Sequence, residues 1–110
     1  MAHLYEFEGQ SGHGYRYLPL DGAGPMSPTG ANYLFVKMKG GDRTVVFAGE
    51  TECLHKGVHS GWDKAKKTYG ANTILVRLNV TRAIRKAELE DIVALHNPPM
   101  NGADAASNGS

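Results

Sequence analysis

Two runs of β-forming residues around a glycine-rich turn constrain the fold of this chain more than any other feature. Residues 33–38 and 44–48 are rich in β-branched and aromatic side chains, and Gly40, Gly41 and Asp42 lie between them. Glycine readily adopts the positive φ angles of tight hairpin turns. The sequence therefore predicts an antiparallel β-hairpin in the middle of the chain.

Helix and strand patterns follow this hairpin. The polar residues 50–60 predict a short helix, and Trp62–Tyr69 predicts a second helix that ends at Gly70. Thr73–Leu78 is again rich in β-branched residues, so it predicts a third strand.

A last helix is predicted over Arg82–His96. The hydroxyl of Thr81 can accept a backbone N–H of its first turn, and Pro98 and Pro99 stop it. The element order is then ββααβα, and we expect an α+β domain over residues 31–101.

The apolar face of this last helix contains one carboxylate. At 100° per residue, Ile84, Ile92 and Leu95 share a face, and Glu88 projects between the two isoleucines. A solvated charge is not expected there, which makes Glu88 a candidate functional residue. The alternative is a peripheral carboxylate that pairs with Arg85 and contributes little.

The two ends of the chain differ from this domain in composition. Residues 1–30 form an N-terminal extension, and residues 102–110 lack large apolar side chains and are expected to be a disordered tail. Within the extension we assign short strands to residues 3–8 and 15–18, a turn to residues 9–14, and a glycine- and proline-rich connector to residues 19–30.

The chain is 110 residues long, which is enough for one domain with a single core. Cys53 is the only cysteine, so an intramolecular disulfide is impossible. The N-terminus lacks the basic and apolar regions of a secretory signal, and no apolar run approaches membrane-spanning length. We therefore expect a cytoplasmic protein with no membrane partner.

Basic residues are concentrated in the predicted domain. Residues 31–101 contain eleven lysines and arginines and seven acidic residues, which leaves a net charge of +4. This balance permits a phosphate-bearing partner but is also compatible with an ordinary solvated surface. Glu90 projects to the face opposite the apolar one and Asp91 projects to its edge, and both are expected to be solvent-facing partners for Lys86 and its neighbours.

Three short segments resemble motifs of the GIY-YIG nuclease family. Residues 31–33, Ala-Asn-Tyr, are similar to GIY, and residues 47–49, Phe-Ala-Gly, are similar to YIG. Residues 97–101, Asn-Pro-Pro-Met-Asn, resemble the terminal NPPLN-like segment of the family. The resemblance covers about two-thirds of the chain and implies a three-stranded antiparallel sheet flanked by helices.

The resemblance also implies metal-assisted phosphodiester hydrolysis. In the family, the tyrosine of the first motif, or one paired with it, helps to activate the attacking water, and a helix glutamate holds the divalent ion that polarises the phosphate. An arginine stabilises charge on the phosphoryl oxygens, and the last asparagine helps to fix the site. Tyr33 and Asn101 match two of these positions, and Mg²⁺ or Mn²⁺ is the cofactor implied if the protein is active.

Three other positions depart from the family pattern. Phe47 stands where the second tyrosine is expected, so a group that handles protons is lost. Gly57 stands where the arginine is expected, and Leu89 stands where the metal-binding glutamate is expected.

Nearby residues are candidate replacements for two of these side chains. Glu88 precedes Leu89 and is the candidate metal ligand, although its face also allows a purely structural role. Lys56 or His59 could take the place of the arginine, but a lysine lacks the planar fork of a guanidinium group.

Three functions remain open from the sequence. The first is a catalytically impaired nuclease-like domain that binds DNA, RNA or another polyanion, with Lys56, Lys64 and Lys67 as candidate phosphate contacts. The second is a protein interaction module on the same scaffold, since a fold does not fix a function. The third is a divergent metal-dependent endonuclease that uses Glu88.

Overall fold

The structure is a computed structural model that describes residues 4–20, 30–52 and 61–101. Within those residues it contains an α+β arrangement of five strands and two helices, and residues 99–101 are also helical. The strands are β1 (Tyr5–Glu8), β2 (Gly14–Pro19), β3 (Ala31–Lys39), β4 (Asp42–Thr51) and β5 (Thr73–Leu78), and the helices are α1 (Trp62–Tyr69) and α2 (Arg82–His96).

All five strands belong to one antiparallel sheet with the order β1-β2-β5-β3-β4. The expected three-stranded sheet is present as β5-β3-β4, but it is only part of the sheet, so this prediction is corrected. Leu18 and Pro19 of β2 pair with Val76 and Leu75 of β5. The N-terminal strands thereby cover an edge of β5 that would otherwise leave backbone groups unpaired.

The central hairpin is confirmed. Lys39 pairs with Asp42, and Gly40 and Gly41 between them have φ angles of 56° and 92°. Both angles lie in the left-handed region that a two-residue hairpin turn requires and that glycine adopts without strain. Strand β4 continues to Thr51, so residues 50 and 51 are strand where a helix was predicted. Residues 53–60 of that predicted helix lie outside the described residues.

Successive strand residues point to opposite sides of the sheet, and the two helices pack on these opposite faces. Helix α1 covers the face that includes Tyr33 and Phe35, and its Ala65 is fully buried there. Helix α2 covers the other face, where Ile92 packs with Leu34 and its neighbours. We call these the α1 face and the α2 face.

Glycine residues frame helix α1. Gly61 precedes it with φ 81°, and Gly70 ends it with φ 77°, as predicted. The backbone N–H of Gly70 donates to carbonyls of the last turn. A left-handed glycine is the usual way to satisfy these carbonyls and turn the chain away from the helix.

Helix α2 buries a different face from the predicted one. Ile84 and Leu95 are 50% and 46% exposed, whereas Arg85, Glu88 and Ile92 are buried. The helix is rotated because Arg85 and Glu88 find charged partners on the sheet, so burying them does not leave unpaired charges. Thr81 does precede the helix, but its side chain makes no capping hydrogen bond.

The turn between β1 and β2 is bound to the middle of α2. The carboxylate of Asp91 accepts hydrogen bonds from the Ser11 backbone N–H at 2.8 Å, the Ser11 hydroxyl at 2.6 Å and the Tyr15 hydroxyl at 2.7 Å. The expectation that Asp91 faces solvent and pairs with Lys86 is therefore wrong. The aspartate fixes the N-terminal hairpin to the domain.

No helix among the described residues is long and apolar enough to span a membrane.

Candidate functional site

Tyr33 lies on the α1 face in the middle of the sheet. It is 7% exposed and pairs with Gly49 of β4 and Val76 of β5. A Cβ atom at Gly49 would lie 2.6 Å from the Tyr33 hydroxyl oxygen, so the absence of a side chain at Gly49 makes room for the tyrosine. The first and second motif segments are therefore in direct contact.

Phe47 occupies the place of the second tyrosine as a packing residue. Its ring centroid is 5.9 Å from that of Tyr33 and 5.6 Å from that of Phe35, with tilted geometries typical of aromatic contacts. A phenyl ring contributes buried area there but no group that can accept or donate a proton.

Asn101 reaches the outer edge of β4. Its side-chain oxygen accepts from the Ala48 backbone N–H at 2.8 Å, and its side-chain nitrogen donates to the Ala48 carbonyl at 2.8 Å. Tyr33 and Asn101 therefore both contact residues 47–49. The amide of Asn101 is engaged in holding the edge strand.

Glu88 is paired with an arginine. Its Oε1 accepts from Nε of Arg77 at 2.9 Å, and its side chain is 11% exposed. The guanidinium of Arg77 also lies 5.6 Å from the ring centroid of Tyr15. The prediction that Glu88 is not a solvated charge is thus confirmed, but its partner is Arg77 and not Arg85.

Glu88 and Tyr33 lie on opposite faces of the sheet. In the pairing of β3 with β5, Asn32 lies opposite Arg77, and Tyr33 lies opposite Val76. Adjacent residues on a strand point to opposite faces, and Arg77 points towards α2, where it binds Glu88. The structure therefore does not bring Glu88 to the side of the sheet that holds Tyr33.

The other candidate catalytic residues, Lys56 and His59, lie outside the described residues, and so does Gly57. Within residues 4–20, 30–52 and 61–101, no three histidine, cysteine, aspartate or glutamate side chains are close enough together to hold a metal ion.

A buried polar cluster on the α2 face was not predicted from the sequence. Arg85 is 2% exposed, and its guanidinium donates to Oε1 of Glu50 at 2.7 Å and to the carbonyls of Asn79 and Val80 at 3.0 and 2.8 Å. Asn32, which is also buried, donates to the Arg85 carbonyl at 2.9 Å. No buried side-chain nitrogen or oxygen among the described residues lacks a hydrogen-bond partner, and the bonds of this cluster join α2 to β3 and β4.

Two tyrosines near α2 are held in the neutral form. Burial, followed by the hydrogen bond to Asp91, raises the pKa of Tyr15 to about 12. Burial also raises the pKa of Tyr17. The hydrogen bonds from the Ser11 hydroxyl and the Tyr15 hydroxyl lower the pKa of the Asp91 carboxyl. The Asp91 shift follows from contacts that attach the hairpin to the helix, and the two tyrosine shifts follow mainly from burial.

Exposed lysines are concentrated on the α1 side of the domain. Lys64 and Lys67 lie three residues apart on α1, and Lys66 lies on the other flank of the helix, next to Trp62. Lys37 on β3 extends towards the end of α1, where its Nζ would lie 3.7 Å from a Cβ atom at Gly70. We call the surface formed by the exposed side chains of Lys37, Lys39, Lys64, Lys66 and Lys67 the lysine face.

The lysine face carries charge that nearby acids do not balance. Its five lysines are accompanied by Asp42 and Asp63, which leaves a net charge of +3. Of these five lysines, only Lys66 has a carboxylate partner among the described residues. Its Nζ lies 4.0 Å from Oδ1 of Asp63. Lys37 and Lys39 also line one shallow hollow with Thr44 at the tip of the hairpin.

Helix α2 shows the opposite arrangement. Its three basic and three acidic residues give it no net charge. Arg82 pairs with Glu52 at 3.7 Å, and Arg85 pairs with Glu50. The uncompensated positive charge of the described residues therefore lies mainly on the α1 side.

Comparisons with protein-family models, with curated proteins and with solved structures found no match to this chain. The resemblance to the GIY-YIG family thus stays a prediction that rests on the three motif segments and their order.

Proposed function

We propose that this protein binds nucleic acid through the lysine face and acts as a binding module of nuclease-like design. The observation that carries the proposal is the net charge of +3 on one face of the domain, where four of the five lysines have no carboxylate partner among the described residues. Lys64 and Lys67, two of the three candidate phosphate contacts predicted from the sequence, are part of it, and the third, Lys56, lies outside the described residues.

The arrangement of these lysines suits a phosphate backbone. Ammonium groups displace the counterions condensed on nucleic acid, and this release supplies most of the free energy of sequence-independent binding. Because four of the five lysines have no carboxylate partner among the described residues, these four can bind phosphate without an existing ion pair being broken. The expected affinity is that of a non-specific binder, with a Kd on the order of 10⁻⁴ to 10⁻⁶ M at physiological salt.

The residues around Tyr33 support binding in preference to cleavage. Phe47 provides no proton-handling group beside Tyr33, and the amide of Asn101 holds the backbone of Ala48. Glu88, the one candidate metal ligand, is paired with Arg77 on the opposite face. Among the described residues, Glu88 is thus separated from Tyr33, and both Glu88 and Asn101 are engaged in structural contacts.

The test is fluorescence anisotropy with labelled duplex DNA and labelled single strands at several salt concentrations. We expect wild-type binding to weaken steeply between 50 and 200 mM salt. The double variant Lys64→Gln/Lys67→Gln removes two phosphate contacts, so it should bind more weakly at 50 mM salt. For duplex DNA, its plot of log K against log salt should be shallower by about 1.8.

The matched control is Arg82→Gln/Lys86→Gln, which removes two exposed charges from α2 and leaves the lysine face unchanged. This control should keep the wild-type salt slope. Equal losses in both double variants would show that net charge alone attracts the ligand. Absence of binding by the wild-type protein at low salt would overturn the proposal.

A further inference from the structure

A cleft opens beside the lysine face, between the start of α1 and the sheet. It has a volume of about 300 Å³ and is lined by Pro19, Leu20, Trp62, Asn72, Thr73 and Ile74. At about 30 Å³ per water, this is the space of roughly ten waters. One planar ring system of the size of a nucleobase can enter such a volume.

The aromatic wall of the cleft is the half-buried indole of Trp62. Its ring lies 5.0 Å from that of Phe35, centroid to centroid, so the sheet supports it from below. Lys66 brings its Nζ to 5.5 Å from the indole centroid. The cleft therefore combines an aromatic surface with a cation, the pair of groups that proteins use to hold an unstacked base and its phosphate.

The polar wall of the cleft is already engaged within the protein. The side chain of Asn72 accepts from the Met38 backbone N–H at 3.0 Å and donates to the Met38 carbonyl at 2.8 Å. The hydroxyl of Thr73 donates to the same Asn72 oxygen at 3.0 Å. These bonds fix the wall and leave few groups free to distinguish one base from another.

We propose that this cleft takes one unpaired nucleobase, stacked against Trp62, while the flanking phosphates lie on the lysine face. The inference rests on the proposed function and adds to it an extra contact that only single-stranded nucleic acid can make. A base in a duplex is stacked and paired, so it cannot enter the cleft without first leaving the helix. Since the polar wall is occupied, binding tolerates any base.

Trp62 allows a direct test because it is the only tryptophan of the chain. The wild-type protein is titrated with oligothymidylate, with oligouridylate and with a DNA duplex of equal total charge, while intrinsic fluorescence and anisotropy are followed together. We expect both single strands to change the Trp62 emission as they bind. The duplex should bind with little change in emission. Comparing oligothymidylate with oligouridylate shows whether the unpaired base comes from single-stranded DNA, from single-stranded RNA or from either.

Two variants complete the experiment. Trp62→Leu should weaken single-strand binding by about tenfold and leave duplex binding unchanged, because stacking on one base is lost and the lysines remain. Trp62→Phe keeps an aromatic surface and should retain most of the affinity. Duplex binding by each variant also shows that its lysine face is intact.

The possible failures are distinguishable. Single-strand binding that depends on Lys64 and Lys67, leaves the Trp62 emission unchanged and is unaffected in Trp62→Leu would overturn the cleft and keep the proposed function. Equal emission changes with duplex and single strand would also overturn it. If the wild-type protein bound neither single-stranded nor duplex nucleic acid, both proposals would be overturned.

Discussion

The side-chain amide of Asn101 makes two hydrogen bonds of 2.8 Å to the backbone of Ala48, one to its N–H and one to its carbonyl. Strand β4 is an edge of the sheet, so these two groups point away from β3. An amide side chain provides one acceptor and one donor side by side, which is how a neighbouring strand would bind them. Asn101 thus closes part of the β4 edge.

This relationship predicts the effect of replacing Asn101. Asn101→Ala leaves two backbone groups of the buried Ala48 without these partners, and we expect a loss of about 1–3 kcal/mol in the free energy of unfolding. Asn101→Asp can still accept from the Ala48 N–H but places a carboxylate against the carbonyl, so it should also be destabilised at neutral pH. Urea denaturation measures both. If Asn101→Ala unfolded at the same urea concentration as the wild type, the stabilising role of Asn101 at the β4 edge would be contradicted.

Replacing Glu88 should affect stability and leave divalent-ion binding unchanged. Glu88→Gln weakens the bond to Arg77 and leaves the guanidinium without a counter-charge, so we expect a loss of about 1–3 kcal/mol. The measurement is thermal unfolding of the wild type and the variant with and without Mg²⁺ and Mn²⁺. A metal-dependent rise in Tm that is present in the wild type and lost in Glu88→Gln would show that Glu88 is a metal ligand.

The contact between Asp91 and the N-terminal hairpin should depend on pH. The Ser11 and Tyr15 hydrogen bonds lower the pKa of Asp91 in the folded state. Such a carboxylate stabilises the fold above its unfolded-state pKa of about 3.9, and this contribution is lost as the pH falls through the lowered folded-state value.

We therefore expect the wild type to be more stable than Asp91→Asn near neutral pH, with a difference that shrinks under acid conditions. Chemical denaturation of both proteins across the acid range measures this difference. A gap that stays constant down to the lowest pH would show that ionisation of Asp91 does not contribute.

Tyr15 should remain neutral well above the ordinary pKa of tyrosine. Burial and the Asp91 hydrogen bond raise its pKa to about 12, so its stabilising contribution is complete below the unfolded-state value of about 10. It is then lost as the pH rises towards 12. Ultraviolet absorbance of phenolate in the wild type and in Tyr15→Phe identifies this titration. Ionisation of Tyr15 near pH 10 in folded protein would contradict the observed contacts.

Local signals in the sequence were sufficient for the central hairpin and for the end of α1. Gly40, Gly41 and Gly70 all adopt positive φ angles, a requirement that can be recognised from the residue type alone. Contacts between segments that are far apart in the sequence could not be predicted in this way. The pairing of β2 with β5 joins Leu18 to Val76, and no local pattern in the glycine- and proline-rich connector indicates it.

The orientation of α2 shows why the candidate site was harder to predict. Projection of the helix places apolar residues inward and charges outward, but Arg85 is buried because Glu50 lies opposite it on β4. Glu88 is buried for the same reason beside Arg77. Charged partners on the sheet therefore decide which residues of α2 are buried.

The cytoplasmic location, the disordered tail and the roles of Lys56 and His59 stay predictions.

The most direct test of nucleic-acid binding through the lysine face is a backbone amide NMR titration of the full chain with oligothymidylate at low salt. We predict that chemical-shift changes concentrate at Lys37, Lys64 and Lys67, while the amide signals of Arg82 and Lys86 on the opposite side do not shift. Shifts centred on α2, or no shifts at all, would contradict it.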